Sequence, residues 1–209
     1  MNKKTGISKY FIFATALILL DQATKLAIKG FSFGAVKHEG IEYGSVIPVI
    51  GNFLQITYIE NAGMAFGITF GVWKIFLSLF SIIAAAALGW YLSKLSREIH
   101  PGVKIGISLI FAGAVGNLVD RVFYGVLFGD APIFYGRVVD FIQVDIPDVN
   151  FFNLFYTHFP IFNVADSCVT VGVIALLLFH KSLPSIGGLL NKDKERIETS
   201  NAENAGENQ

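Results

Sequence analysis

Two aspartates stand where apolar segments meet polar ones, in Val138-Val139-Asp140-Phe141 and Phe162-Asn163-Val164-Ala165-Asp166. A carboxylate at the edge of a bilayer-spanning stretch is costly to desolvate and calls for a functional reason. Two of them sharing one proton can activate water and protonate a leaving group. Asn163, three residues before Asp166, shares its helix face and can orient the carboxylate or a substrate. Metal chemistry is not expected. Cys168 is the one cysteine, and the four histidines (His38, His100, His158, His180) form no ligand-spaced pair. No cofactor is expected either.

These residues need elements to hold them, and composition says which. Of 209 residues, 53 % are hydrophobic and 15 % charged, with a mean hydropathy of +0.57. That excludes an ordinary soluble domain and fits an integral membrane protein. A formal net charge of zero argues against nucleic acid as a partner. Four windows, at about residues 10–28, 72–92, 103–123 and 163–183, are apolar over the ~20 residues that a crossing helix needs. The first, preceded by Lys3, Lys4 and Lys9, is read as a retained span, because no small-residue cleavage site follows it. Ten of the 16 basic residues fall in the N-terminus, the loop between the second and third spans, and the C-terminus. Both termini are therefore expected in the cytoplasm, and outer loops at 29–71 and 124–162 put both aspartates near the outer face. The fold class is all-α, with four transmembrane helices and a small extracytoplasmic β-sheet after the first. Residues 52–60, rich in β-branched and aromatic side chains, are read as a strand of that sheet. Residues 1–190 form one membrane domain, and the Asn-, Glu- and Lys-rich stretch 191–209 is a disordered cytoplasmic tail.

Polar residues inside the apolar windows are the remaining candidates. Asp21 and Lys25, four apart, share a helix face and read as a structural ion pair before a substrate contact. Gly113, Gly116, Asn117, Asp120 and Arg121 mark one side of the third span. The glycines permit close helix approach and the polar side chains serve as glue or site scaffold. Arg121 suits a carboxylate or a substrate carbonyl, and Asp120 a structural anchor. Asn61 and Gly63, in Asn61-Ala62-Gly63-Met64-Ala65-Phe66-Gly67, read equally as a ligand-approaching backbone or a plain turn. Cys168 reads as a small buried hydrophobe. Asp130, Asp145, Asp148 and His158 read as solvated loop residues.

Acid/base hydrolysis without a covalent intermediate follows from the pair. The rival is a proton-coupled transporter or channel, since carboxylates with Asn and Arg partners also make proton relays. Ionisable groups clustered near one face, and four spans without a detectable repeat, fit that rival poorly. A purely structural membrane protein leaves the pair unexplained, and the Gly-x-Gly-Asp signature of presenilin-type proteases is absent.

Five motifs together resemble the bacterial lipoprotein signal peptidase (signal peptidase II) family. They are Asp21-Gln22-x-x-Lys25, Asn61-x-Gly63-x-Ala65-Phe66-Gly67, Gly113-Ala114-x-Gly116-Asn117-x-x-Asp120-Arg121, Val138-Val139-Asp140-Phe141 and Phe159-Pro160-x-Phe162-Asn163-x-Ala165-Asp166. The resemblance implies an aspartic endopeptidase of the inner membrane, cutting prolipoproteins just before a diacylglyceryl-modified cysteine. It implies Asp140 and Asp166 as the dyad. Asn61, Gly63, Gly113, Asn117, Arg121 and Asn163 would contact substrate or position the dyad, with Asp21, Lys25 and Asp120 in support. An outer sheet would cradle the peptide, a flexible segment of the second outer loop would cover the site, and a monomer working beside membrane lipid is expected. Residues 122–137 and 143–158 are longer than the family pattern, which puts the shape of that covering loop in question.

Overall fold

The computed structural model describes residues 5–63, 74–96, 98–151, 154–184 and 187. Helix α1 (Thr5–Lys29) leads into a hairpin of β1 (Gly30–Phe33) and β2 (Val36–Glu39), then β3 (Val46–Ile50) and β4 (Leu54–Asn61). Helices α2 (Lys74–Lys94) and α3 (Pro101–Val119) follow. A π-helical turn (Asp120–Tyr124) and one helical turn, α4 (Gly125–Phe128), extend α3. Strands β5 (Val138–Phe151) and β6 (Leu154–His158) precede α5 (Val164–Leu178).

Among the described residues, three helices are long and apolar enough to cross a membrane: Ile7–Lys29, Ile75–Lys94 and Pro101–Phe128. Large apolar side chains cover their outward faces, Leu19 at 65 % and Ile83 at 66 % exposure, as hydrocarbon rather than water would require. The fourth window behaves differently. A span over 163–183 is expected, but α5 has 15 residues and yields to a short 3-10 turn at His180–Ser182. At 1.5 Å per residue it reaches about 22 Å, short of the ~30 Å hydrocarbon core.

Local chemistry sets the helix starts. His100 caps α3, its Nδ1 accepting from Gly102 N at 3.0 Å, and Pro101 opens the first turn. Asn163 caps α5 and Asp166 closes a capping box with it. Glycines set how close α3 comes to α5. A Cβ on Gly113 would overlap the carbonyl oxygen of Ala165, and one on Gly116 would sit 2.7 Å from Asp21 Oδ2. The third span thus presses its small face on the start of α5 and on α1 at the candidate residues.

The sheet is larger than the sequence suggests. The strand anticipated at 52–60 is β4, but it belongs to an antiparallel sheet ordered β3-β4-β5-β6, separate from the β1–β2 hairpin. The stretch 124–162 is therefore not merely loop: it supplies two of the four strands. Register places Ile59 opposite Asp140 and Asn61 opposite Val138. An apolar cluster of Tyr58, Tyr124, Val139 and Phe141 fixes β4 and β5 against the end of α3. A second, of Tyr10, Leu92, Leu95, Val103 and Ile107, joins α1, α2 and α3 at the other end. The tail at 191–209 and residues 64–67 of the Asn61 motif lie outside the described residues.

Candidate active site

Asp140 leaves strand β5 and is 3 % exposed; Asp166 lies in the first turn of α5 and is half-buried. Asn163 joins them. Its Nδ2 donates to Asp140 Oδ1 at 2.6 Å, while its backbone N–H donates to Asp166 Oδ2 at 3.2 Å and its Oδ1 accepts from Asp166 N at 3.0 Å. The cap that starts α5 therefore also sets the relation of the two carboxyl groups. Asn117 completes the bridge: its Nδ2 donates to Asp166 Oδ1 at 2.8 Å, and its Oδ1 accepts from Asn163 Nδ2 at 3.1 Å. Asn61, at the end of β4, also hydrogen-bonds Asp140. Burial, then the neighbouring charge of Asp166, push Asp140 up to about 7, against the hydrogen bonds of Asn163 and Asn61. A carboxyl group that keeps its proton near neutrality, beside a second carboxyl group, is the requirement for acid/base work by a pair.

Beneath the pair lies a buried ion cluster. Lys25 Nζ is 2.9 Å from Asp21 Oδ2, 2.8 Å from Asp120 Oδ2, and donates to Asn117 Oδ1 at 2.9 Å. All three charged residues are 1 % exposed or less. Asp21 and Lys25 form the expected structural pair, and Asp120 anchors it. Both carboxylates also accept from the backbone: Ala165 N donates to Asp21 Oδ1 at 2.8 Å, and Val139 N donates to Asp120 Oδ2, the oxygen that also faces Lys25, at 3.2 Å. One aspartate thus ties the helix of Asp166 to the cluster, and the other ties the strand of Asp140 to it. The lysine also fixes the polarity of Asn117. With its oxygen facing Lys25, its amide N–H₂ must face Asp166.

Sequence reasoning missed two residues here. Gln22 Nε2 donates to Asp120 Oδ1 at 2.9 Å and to Gly116 O at 3.0 Å, and Tyr124 Oη donates to Gln22 Oε1 at 3.1 Å. A glutamine inside an apolar window was a readable signal. Tyr124 gave none, because it arrives through the π turn.

That turn separates its two charged residues. Asp120 reaches Lys25, whereas Arg121 folds back so that Nη1 donates to Asn117 O at 3.3 Å. An inserted residue in a helix re-aims side chains in this way and often marks a functional site. Arg121 Nε is buried and has no hydrogen-bond partner among the described residues. Gly63 adopts φ +86, a conformation suited to glycine, and its N–H donates to Asn61 Oδ1 at 2.9 Å. Cys168 is buried, as expected, and His158 is exposed. Asp130 is not simply solvated, since it pairs with Lys29 at 3.2 Å. No cluster of three or more metal-ligating side chains occurs among the described residues.

Residues 13–181 match the family model for signal peptidase (SPase) II. The chain belongs to the signal peptidase II family. A lipoprotein signal peptidase of Chlorobaculum tepidum is 36 % identical over 177 residues, covering 83 % of this chain and 94 % of the relative. One of Staphylococcus aureus is 33 % identical over 178 residues, covering 85 % and 91 %. A bacterial membrane enzyme solved by the in meso method at 1.9 Å shares 34 % identity and a TM-score of 0.59, covering 85 % of this chain and 96 % of that one. This signal peptidase II is accordingly a protease with a membrane-enzyme fold of several apolar helices and small antiparallel sheets. The transporter reading finds no support in these relatives.

Proposed function

We propose that this signal peptidase II hydrolyses the peptide bond before a diacylglyceryl-modified cysteine of prolipoproteins, with Asp140 and Asp166 as its catalytic dyad. One observation carries the assignment: a single asparagine, Asn163, hydrogen-bonds both carboxyl groups at the junction of β5 and α5. One carboxyl group of the pair, ionised, takes a proton from water. The other, protonated, hydrogen-bonds the scissile carbonyl and then supplies a proton to the leaving amine; the raised Asp140 keeps a shared proton on the pair near neutrality. Arg121 lines a cleft with Asn61 and Gly63, where its guanidinium is matched to a substrate backbone carbonyl. Asn117, Gly113, Lys25, Asp21 and Asp120 position the pair.

In this reading α1, α2 and α3 span the inner membrane and α5, continued by the 3-10 turn at His180–Ser182, makes a fourth, shorter crossing, which leaves both termini in the cytoplasm. The site sits near the outer face, where the acyl chains of the substrate stay in the bilayer and orient the bond. Nothing in the mechanism calls for a metal or cofactor, or for a second copy of the chain.

The test is cleavage of a diacylglyceryl-modified prolipoprotein by the purified protein in lipid or detergent. Asp140→Asn and Asp166→Asn should each lower turnover by about 10²–10⁴-fold, the range of a lost general acid or base. Chelator should have no effect. Full cleavage by either variant, or none by the parent, would sink the assignment.

A further inference from the structure

Tyr124, at the end of the π turn, is 4 % exposed and holds two neighbours at once. Its ring packs in one cluster with Val139 and Phe141, the residues on either side of Asp140, and meets Phe128 edge-on at 5.1 Å. Its hydroxyl donates to Gln22 Oε1 at 3.1 Å. That bond settles which way the Gln22 amide faces. With its oxygen on Tyr124, its N–H₂ turns inward, to Asp120 Oδ1 at 2.9 Å, Gly116 O at 3.0 Å and Asp21 Oδ2 at 3.1 Å. The amide thereby claims one oxygen of Asp120 and leaves the other, Oδ2, to Lys25 and to Val139 N. Val139 is 0 % exposed and directly precedes Asp140. The phenol is thus joined to the strand of Asp140 twice, by its ring and by the path through Gln22, Asp120 and Val139. Ion pairing accounts for Asp21, Lys25 and Asp120. A neutral amide and a phenol in the same cluster add no charge, so what they contribute is direction.

We propose that Tyr124 is a positioning residue for the reaction, its hydroxyl acting through Gln22 and Asp120 on the placement of Asp140. The inference rests on the dyad reading. A carboxylate gripped by Lys25 alone can turn about its own axis, because an ammonium is a point charge with little directional demand. Gln22 removes that freedom by fixing Oδ1, and so keeps Oδ2 in line with the Val139 N–H. A hydrogen bond weakens steeply once its angle is lost. Without the phenol the Gln22 oxygen turns toward other donors, the amide swings with it, and the residue before Asp140 loses its tie. A small displacement of Asp140 slows the chemical step. Neither Gln22 nor Tyr124 lines the cleft of Asn61, Gly63 and Arg121, so substrate affinity is left alone. The π turn therefore has a second task besides aiming Arg121: it delivers Tyr124 to α1.

The test measures kcat and KM separately on a diacylglyceryl-modified prolipoprotein. Tyr124→Phe keeps the ring and removes only the hydroxyl. It should lower kcat about tenfold and leave KM within about twofold of the parent. Gln22→Met should lower kcat at least as far. The double variant should fall no further than Gln22→Met alone, because residues on one path are not additive. Tyr91→Phe is the control. Its hydroxyl donates to Pro184 O at 3.1 Å at the other end of the helices, and its loss should leave kcat at the parent value. Four results each overturn the inference and leave the dyad standing: parent kcat in Tyr124→Phe, an equal drop in Tyr91→Phe, a rise in KM in place of the fall in kcat, or additive losses in the double variant. If Gln22→Met does not fold, the two tyrosine variants decide. Full turnover by Asp140→Asn, or none by the parent, overturns the dyad reading and this inference with it.

Discussion

Two lysines one helical turn apart on α1 build two ion clusters of different character. Lys25 holds Asp21 and Asp120 with no solvent access, and each carboxylate is further bound by a backbone N–H. Lys29 pairs with Glu60 and with Asp130 (3.2 Å), while Arg137 reaches Glu60 at 3.5 Å; the Asp130 and Arg137 side chains are 52 % and 53 % exposed. Burial raises Glu60 but is outweighed by hydrogen bonds from Lys29 and Tyr58, which hold it below the usual carboxylate range. The same Glu60 bond, added to burial, pushes the Tyr58 hydroxyl well up. The inner cluster decides where Asn117, β5 and α5 stand, and hence the pair. The rim cluster fastens the end of β4 to α1 and to the 129–137 segment. Identical chemistry is thus a foundation where water is excluded and a fastening where it is not.

The largest effect should come from Lys25→Met. It leaves two buried carboxylates without their cation and should cost about 3–5 kcal/mol, read as a lower melting temperature in detergent. Turnover should fall with it, since Asn117 loses the donor that fixes its amide. A loss below ~1 kcal/mol would erase the difference between the two clusters. Adding Asp120→Asn should recover part of that loss. The double variant should be more stable than the sum of its single effects, because one unpaired charge is gone.

The pH dependence of Asp140 comes next. Its folded value of about 7 lies above the ~4 of an unfolded aspartate, so the native state binds the proton more tightly. Its contribution to stability is complete below about pH 4, declines as pH rises, and is gone above about 7. Asp140→Asn should remove that decline from melting curves taken across pH 4–8. Parent turnover should drop above about pH 7 as the pair loses its shared proton.

The smallest effects belong to the rim. Asp130→Asn should cost under ~1 kcal/mol and less still in high salt, because a half-exposed pair is well screened. A cost comparable to that of Lys25→Met would show that the rim too is a foundation.

Much of the site was legible because polar residues in an apolar window are conspicuous. Asp21, Lys25, Asn117 and Asp120 come together as helical spacing suggests, and Asn163 caps α5 and orients Asp166 as its offset predicts. The strand ending at Asn61 was legible from its β-branched residues. The length of α5 was misjudged, since apolar composition continues past Leu178 while the helix does not. The partners of Gln22 and Tyr124 could not be read, because they lie 98 and 102 residues away in the chain.

Membrane character and family could be read from the chain alone, since hydropathy and motif spacing are local properties, and the residue types proposed the acid/base chemistry. The tertiary structure decided what spacing cannot carry. It paired β4 with β5 so that Asn61 reaches Asp140, and it let the π turn send Asp120 inward and Arg121 toward the cleft. It also turned the long stretch after Arg121 into two strands of the sheet. Each depends on contacts between residues far apart in the chain, where sheet register and close helix approach, not local propensity, set the geometry.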